Sequence, residues 1–297
     1  MMQVGRKADA VDESDETRPF RTGQSVAVQL DDRRERVQSV RRAFAVLQAL
    51  ASGPVPCSTQ MVAERVNLDR TVVRRLLRTL EGDGLVWCRK QRWQLGPAAV
   101  TLGNAYLDGH PLYHTVVHHA MVLHDDIVAS GRPWVVNAAV PVGADAVVVA
   151  RFFSRTAPVD SVLKAGTRLP MTGSALGRSM LAFVDADRRA SIVGSHDAAQ
   201  LADRSAAIRA RGGLETAVDE IRRGISAVAV PVRGGGGEPI AALAVSGPTR
   251  RLPLAPDSDL AARLRRAAAR IAEDAPAILP EWPPREPAQR VRSAQSA

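Results

Sequence analysis

The side chains best suited to chemistry lie in one short stretch: Arg70, Thr71, Arg74, Arg75, Arg78, Arg89, Lys90 and Arg92. Arginine can grip the O6 and N7 of guanine with a two-pronged hydrogen bond, and neighbouring cations can neutralise phosphates. The chemistry implied is therefore reading and holding double-stranded DNA. A basic segment standing alone reads equally well as a solvated surface, so what positions these residues has to decide.

Residues 67–80, NLDRTVVRRLLRTL, have helical spacing. Val73, Leu76, Leu77 and Leu80 fall at i, i+3, i+4 and i+7 and so share a face. Arg70, Arg74 and Arg78 form a stripe on another face, with Thr71 and Arg75 beside it, and Asp69 is placed to cap the helix. Upstream, Val40, Phe44, Leu47 and Leu50 predict a first helix, with Ser39 as its cap and Gly53-Pro54 as its stop. Ser58-Thr59 cap a short second helix that turns Met61, Val62 and Val66 inward. Asn67 then stands where the chain must turn sharply, and asparagine tolerates the left-handed conformation that such turns use. Helix, tight turn and basic helix read as a helix-turn-helix. Downstream, Gly82-Asp83-Gly84 breaks the helix. LVWCR and RWQL flank a charged turn at Lys90-Gln91 and predict a β-hairpin, a wing with Arg89, Lys90 and Arg92 at its tip. Segment 37–96 holds ten basic and four acidic residues, net +6. The whole chain has net +9, so most of the excess lies here.

The 297 residues allow two domains. A sequence pI near 10.7 makes a polyanion the default partner. Cys57 and Cys88 form no CxxC and no zinc-ligand spacing, which points to two reduced thiols and a cytoplasmic location. No apolar run approaches the roughly 18 residues of a membrane span, and the first residues lack a signal-peptide core. No membrane partner is expected. Residues 1–36 read as a disordered polar tail that turns basic at Arg33, Arg34 and Arg36. Such an arm could touch DNA or serve only for solubility.

Beyond the winged segment, 37–97, residues 98–109 read as a linker helix. Another helix begins at Pro111. The chain then changes character over 110–275. WVVNAAVPV and AVVVARFF predict a buried hairpin, and PVDSVLKAG a third strand. LPMTGSALGRSMLAFV reads as a loop and helix, 185–193 and 203–211 as two helices, ISAVAVPVR and PIAALAVSG as two strands, and SDLAARLRRAAARIAEDA as a closing amphipathic helix. The expected class is α+β, an antiparallel sheet with packed helices. Residues 276–297, rich in Pro, Arg, Gln and Ser, read as a disordered tail.

SVRRAFAVLQAL, NLDRTVVRRLLRTLEGDGLV and RWQLGPAAVTLG resemble the winged helix-turn-helix and linker of the IclR family of bacterial transcription regulators. LPMTGSALGRSMLAF, and GISAVAVPVR followed by PIAALAVSGP, resemble two segments of that family's C-terminal effector-binding domain. The resemblance runs over about residues 37–275. It implies a GAF-like sensor of small organic acids, a homo-oligomer (dimer or tetramer) and near-palindromic operators. It also implies repression more often than activation. There are departures. The family often has Gly where this chain has Asn67, and a Ser-Thr pair where it has Thr71-Val72. Thr71 remains a backbone or phosphate contact, while Val72 could offer a thymine methyl an apolar contact. Arg75 matches a frequent family arginine. Arg70, Arg74 and Arg78 look particular to this chain's operator.

Met171, Thr172, Gly173, Ser174, Ala175 and Leu176 lie at a helix start, where N–H groups and the helix dipole favour a carboxylate; an ordinary capped helix has the same pattern. In the related sensors a cysteine and two serines often reach the ligand from the two later strands. Those positions here are Ala227, Ala244 and Ser246. The usual acidic residue before them falls near Ala217, Val218 and Asp219. The resemblance thus implies a less polar pocket and an aromatic or otherwise apolar acid. His110, His114 and His118 are spaced to share a helix face, with His119 and His124 nearby, but no HExxH or cysteine accompanies them; no metal or cofactor is expected. The four glycines at 234–237 lack a following GK[ST] and read as a turn. No catalytic constellation stands out, so no enzyme is expected.

Overall fold

The computed structural model describes residues 37–53, 56–129, 131–154, 157 and 163–275. The two predicted tails and residues 158–162 of the predicted third strand lie outside these. The chain divides into two compact units between Val100 and Thr101.

The N-terminal unit holds α1 (Gln38–Ser52), α2 (Thr59–Val66), α3 (Arg70–Gly82), β1 (Val86–Arg89) and β2 (Arg92–Leu95). Val46, Leu50, Val62, Val73, Leu77, Leu80, Val86 and Trp93 form its core. Fully burying one such aliphatic side chain contributes about 1.5–3 kcal/mol. The inner face of α1 differs from the spacing-based expectation. Val46 and Leu50 are buried, whereas Val40 and Phe44 are 51% and 58% exposed. The residue preceding α1 is Val37, which gives no side-chain cap, and Ser39 lies within the first turn. Helix α1 is apolar on more than one side, so only packing against α2 and α3 selects the buried stripe.

Helix α4 (Ala98–Gly109) spans the division between the units and has no buried residue. The C-terminal unit continues with α5 (Pro111–Val128), β3 (Val135–Val142), β4 (Asp145–Phe153), β5 (Arg168–Pro170), α6 (Ala175–Leu181), α7 (Ala186–Val193), α8 (Ser195–Gln200) and α9 (Ala202–Ala210). Then come β6 (Glu215–Arg222), β7 (Ile225–Arg233), β8 (Pro239–Pro248) and α10 (Asp259–Asp274). The six strands form one antiparallel sheet in the order β5-β4-β3-β8-β7-β6. Alternation along the strands separates its two faces. Val136, Ala138, Val228, Val230, Leu243 and Val245 pack with residues of α5 and α10. Ala139, Val148, Ala217, Ala229, Ala242 and Ala244 lie on the other face with Leu176, Met180 and Leu181 of α6. This is the expected α+β arrangement.

Of PVDSVLKAG, the expected third strand, only residues 163–166 are described, and these form no strand. Residues 163–167 are irregular, and β5 lies just beyond, in the segment read as a loop. Strand β6 and helix α8 are additional. Strand β6 is a charged edge strand whose ladder shifts between Val218 and Arg222, so it lacks a clean apolar alternation.

Candidate nucleic-acid interface and effector site

Helix α3 is set by the turn that precedes it and by its N-terminal cap. Asn67 adopts φ 50° and ψ 51° and closes α2 by donating its N–H to Ala63 and Glu64 carbonyls. Asp69 Oδ1 accepts from the backbone N–H of Thr71 (2.7 Å) and Val72 (3.4 Å). The Thr71 N–H, then the Thr71 hydroxyl and the Val72 N–H, hold this carboxyl below its ordinary pKa. Val73, Leu77 and Leu80 face the core. Arg70, Thr71, Arg74, Arg75 and Arg78 are all exposed. Arg78 is more committed than its spacing suggested. Its Nη1 pairs with Glu81 Oε2 at 2.8 Å, and its guanidinium carbon lies 5.7 Å from the centroid of the buried Trp93 ring.

The wing is a two-residue hairpin in which Arg89 pairs with Arg92. Lys90 and Gln91, between them, both have positive φ, 50° and 59°. That is the backbone of the hairpin turns that normally take Asn-Gly, because their twist matches the strands. The turn exposes Arg89, Lys90 and Arg92 together. Cys57 exchanges two backbone hydrogen bonds with Trp93, at 2.8 and 2.7 Å, and Trp93 Nε1 donates to Thr59 Oγ1 at 3.0 Å. The wing is thereby tied to the start of α2. Cys57 is buried, its Sγ accepting from Arg65 Nη1 at 3.4 Å, and Cys88 is half-buried.

In the C-terminal unit, Ser174 caps α6. Its Oγ accepts from Gly177 N–H at 3.1 Å and donates to the Pro170 carbonyl at 3.0 Å. Met171 is wholly buried in the apolar cluster, and Ala175 and Leu176 nearly so; Thr172 is half-buried and Gly173 exposed. Gly177 is where α6 crosses the preceding loop, since a Cβ there would stand 2.3 Å from Met171 Cα. Arg178 fixes that loop as well. Its Nη1 donates to the Thr172 carbonyl (3.1 Å) and its Nε to Glu215 Oε1 (2.5 Å), with both side chains 4% exposed. Arg204 from α9 joins Glu215 (2.6 Å) and Glu220 (3.3 Å). Burial opposes the Arg204 charge, but the bond to Glu215 and the two carboxylates outweigh it and raise its pKa. A cleft of about 300 Å³ lies beside this network, lined by Thr172, Asp197, Gln200, Leu201 and Arg204.

The strand positions singled out from the sequence come together. Ala227 pairs with Ser246 across β7 and β8, and Ala217 pairs with Ala227 from β6. Ala244 lies one step along the same face, on the side covered by α6. Asp219 is turned to another use: its Oδ1 accepts from Gly224 N–H (2.8 Å) and the Thr249 hydroxyl (2.7 Å), closing the bulged end of β6. Two polar residues on the α6 side were not singled out, Asn137 and Arg151, which pair across β3 and β4. Each interrupts an apolar strand in the sequence, and that interruption was the available signal. Among the described residues there is no group of three His, Cys, Asp or Glu able to hold a metal. His110 precedes α5, His114 and His118 are exposed, and His119 Nε2 meets Asp274 Oδ2 at 2.7 Å.

A winged basic helix joined to this sheet matches two family models: the IclR helix-turn-helix domain over residues 39–87 and the bacterial transcriptional regulator IclR C-terminal domain over residues 115–273. The chain belongs to the IclR family. It is a ligand-responsive transcription regulator and not an enzyme. The glycerol operon regulatory protein of Streptomyces griseus is 29% identical, over 80% of this chain and 96% of its own length. The Pca regulon regulatory protein of Pseudomonas putida is 29% identical, over 70% and 73% of the respective chains. The crystal structure of an IclR transcriptional regulator from Alicyclobacillus acidocaldarius matches with a TM-score of 0.64. It covers 81% of this chain and 100% of its own at 24% identity, and so speaks for the fold. No helix among the described residues is long and apolar enough to cross a membrane.

Proposed function

We propose that the protein is a repressor that holds a near-palindromic operator and releases it when a small, aromatic organic acid binds the C-terminal unit. The observation that carries the DNA half is the orientation of α3, which keeps Val73, Leu77 and Leu80 inside and Arg70, Thr71, Arg74, Arg75 and Arg78 outside. Arg70, Arg74 and Arg75 read bases. Thr71, Arg78 and the wing residues Arg89, Lys90 and Arg92 hold the backbone. The effector site spans Met171, Thr172, Gly173, Ser174, Ala175 and Leu176, with Ala227, Ala244 and Ser246 across from it. Two methyl groups among those strand positions support an apolar ring on the ligand. The operon and regulon control named for the two 29%-identical relatives supports control of a catabolic operon.

We take the working form to be a homo-oligomer, a dimer or a tetramer. Exposed Val100, Leu102 and Tyr106 on α4 support self-association, with Val100 and Leu102 more than 60% exposed. The domain boundaries of the proposal are residues 37–97 for DNA, 98–109 for the linker and 110–275 for the effector. A binding event in the last reaches the first through the linker helix.

Genome-wide footprinting with and without candidate aromatic acids tests this. A few discrete palindromic sites, vacated when the right acid is added, are expected. Even occupancy without site preference would make the protein an architectural DNA binder instead. Falling transcription of the adjacent operon on deleting the regulator would turn repressor into activator.

A further inference from the structure

The α6 side of the sheet has an unusual lining. Ala139, Ala227, Ala229, Ala242 and Ala244 lie there, short side chains on strands that elsewhere carry valine and leucine. Small residues alone make no site. Beside them, however, stands Asn137, in register with Ala244 of β8 on one side and Arg151 of β4 on the other. Asn137 is 1% exposed. Its Nδ2 donates to Ser246 Oγ at 3.2 Å, and its Oδ1 has no hydrogen-bond partner. Buried acceptors without a donor are rare in folded proteins, because the group has lost water and gained nothing. Arg151 is half-buried. Its Nη1 donates to the Leu163 carbonyl at 3.1 Å, and its guanidinium carbon lies 5.6 Å from the Phe153 ring centroid. A cation and an orphaned acceptor thus occupy paired positions on neighbouring strands, above a floor of methyl groups.

We infer that Asn137 is a ligand-contact residue of the effector site. Its Oδ1 accepts a hydrogen bond from a hydroxyl or amino group of the effector, and Arg151 beside it meets the acid group. The effector class is therefore a hydroxy- or amino-substituted organic acid. This rests on the reading of the C-terminal unit as an organic-acid sensor and adds to it a required donor. Selectivity follows from the same physics: an analogue without the donor leaves the buried oxygen unpaired.

The full-length protein is titrated calorimetrically with benzoate, the monohydroxybenzoate isomers and the matching methoxybenzoates. At least one hydroxybenzoate should bind about tenfold or more tightly than benzoate and than its own methoxy counterpart. Asn137→Ala should erase that preference, and Arg151→Gln should weaken every acid. Persistence of the hydroxyl preference in Asn137→Ala overturns the inference while leaving the organic-acid reading standing. Equal binding of hydroxy and methoxy partners to the wild type overturns it too, since the amide would then be presenting its N–H. Should Asn137→Ala fail to fold, that wild-type ligand series still decides. If the wild type binds none of these acids at millimolar concentration, the aromatic-acid reading falls and the inference with it.

Discussion

Helices α3 and α6 begin alike and end in opposite roles. Each is capped by an oxygen two or three residues ahead of the N–H it accepts from, Asp69 in one and Ser174 in the other. Helix α3 buries one stripe and turns six polar residues outward, the five named above and Thr79. All seven residues of α6 are buried. The exposed polar side chains of α3 are therefore separable from the core that supports them, whereas the residues of α6 are part of the core. Recognition of a large polyanion needs an exposed, pre-shaped surface. Capture of a small molecule needs enclosure, and there each polar group must be paired or waiting for a partner. Substitutions in the two regions should differ accordingly.

The largest effect should come from Glu215→Ala. It removes the buried carboxylate that Arg178 shares with Arg204 and leaves Arg178 only Glu220, 2.7 Å away, and should cost about 3 kcal/mol of stability in the C-terminal unit. Chemical denaturation would show it as an early transition, and a change below about 1 kcal/mol would mean that Glu220, already paired with Arg178, suffices to hold the buried cation. Gly177→Ala should follow, at about 1–3 kcal/mol, because the new methyl meets the Met171 backbone. An unshifted melting curve would show that α6 can move away from the loop.

Arg75→Ala should do the reverse. Stability should stay within about 0.5 kcal/mol, while specific operator binding weakens by about 1–3 kcal/mol if the side chain reads a base. Equal weakening on every DNA sequence would limit Arg75 to phosphate, and intact operator affinity would remove it from the interface. Smaller still is Gln91→Gly, which should stabilise the wing by about 0.5–1 kcal/mol by relieving a positive φ. A lowered melting temperature would show that the glutamine side chain matters more than its backbone.

Asp69 gives the smallest effect and one with a sign. Its carboxyl is held below the unfolded value, so its capping contribution is complete above the ordinary carboxylate range and disappears as pH falls through the lower folded pKa. Asp69→Ala should therefore melt below the wild type at neutral pH and converge with it in acid. Parallel melting curves across that range would show that the charge plays no part in the cap.

The amino-acid sequence by itself determined whatever depends on near neighbours in the chain. The caps at Ser58 and Asp69, the left-handed Asn67, the buried stripe of α3, the two-residue wing turn and the apolar strands of the main hairpin all follow from spacings of a few residues. There local sterics and periodicity leave little choice, and the basic segment beside them was legible as a DNA-reading surface. Tertiary structure alone decided what depends on distant partners. It turned Val46 inward and Phe44 outward on an α1 that is apolar on more than one side, because α2 and α3 approach from one side. It made a charged edge strand of residues 215–222, whose pairing with β7 depends on backbone groups that hydropathy does not register. It drew Asp219 into a turn, joined Arg178 to Glu215, and set Asn137 against Ser246 from 109 positions away. A buried polar group is stabilised by whichever partner the fold brings to it, and no local pattern names that partner in advance.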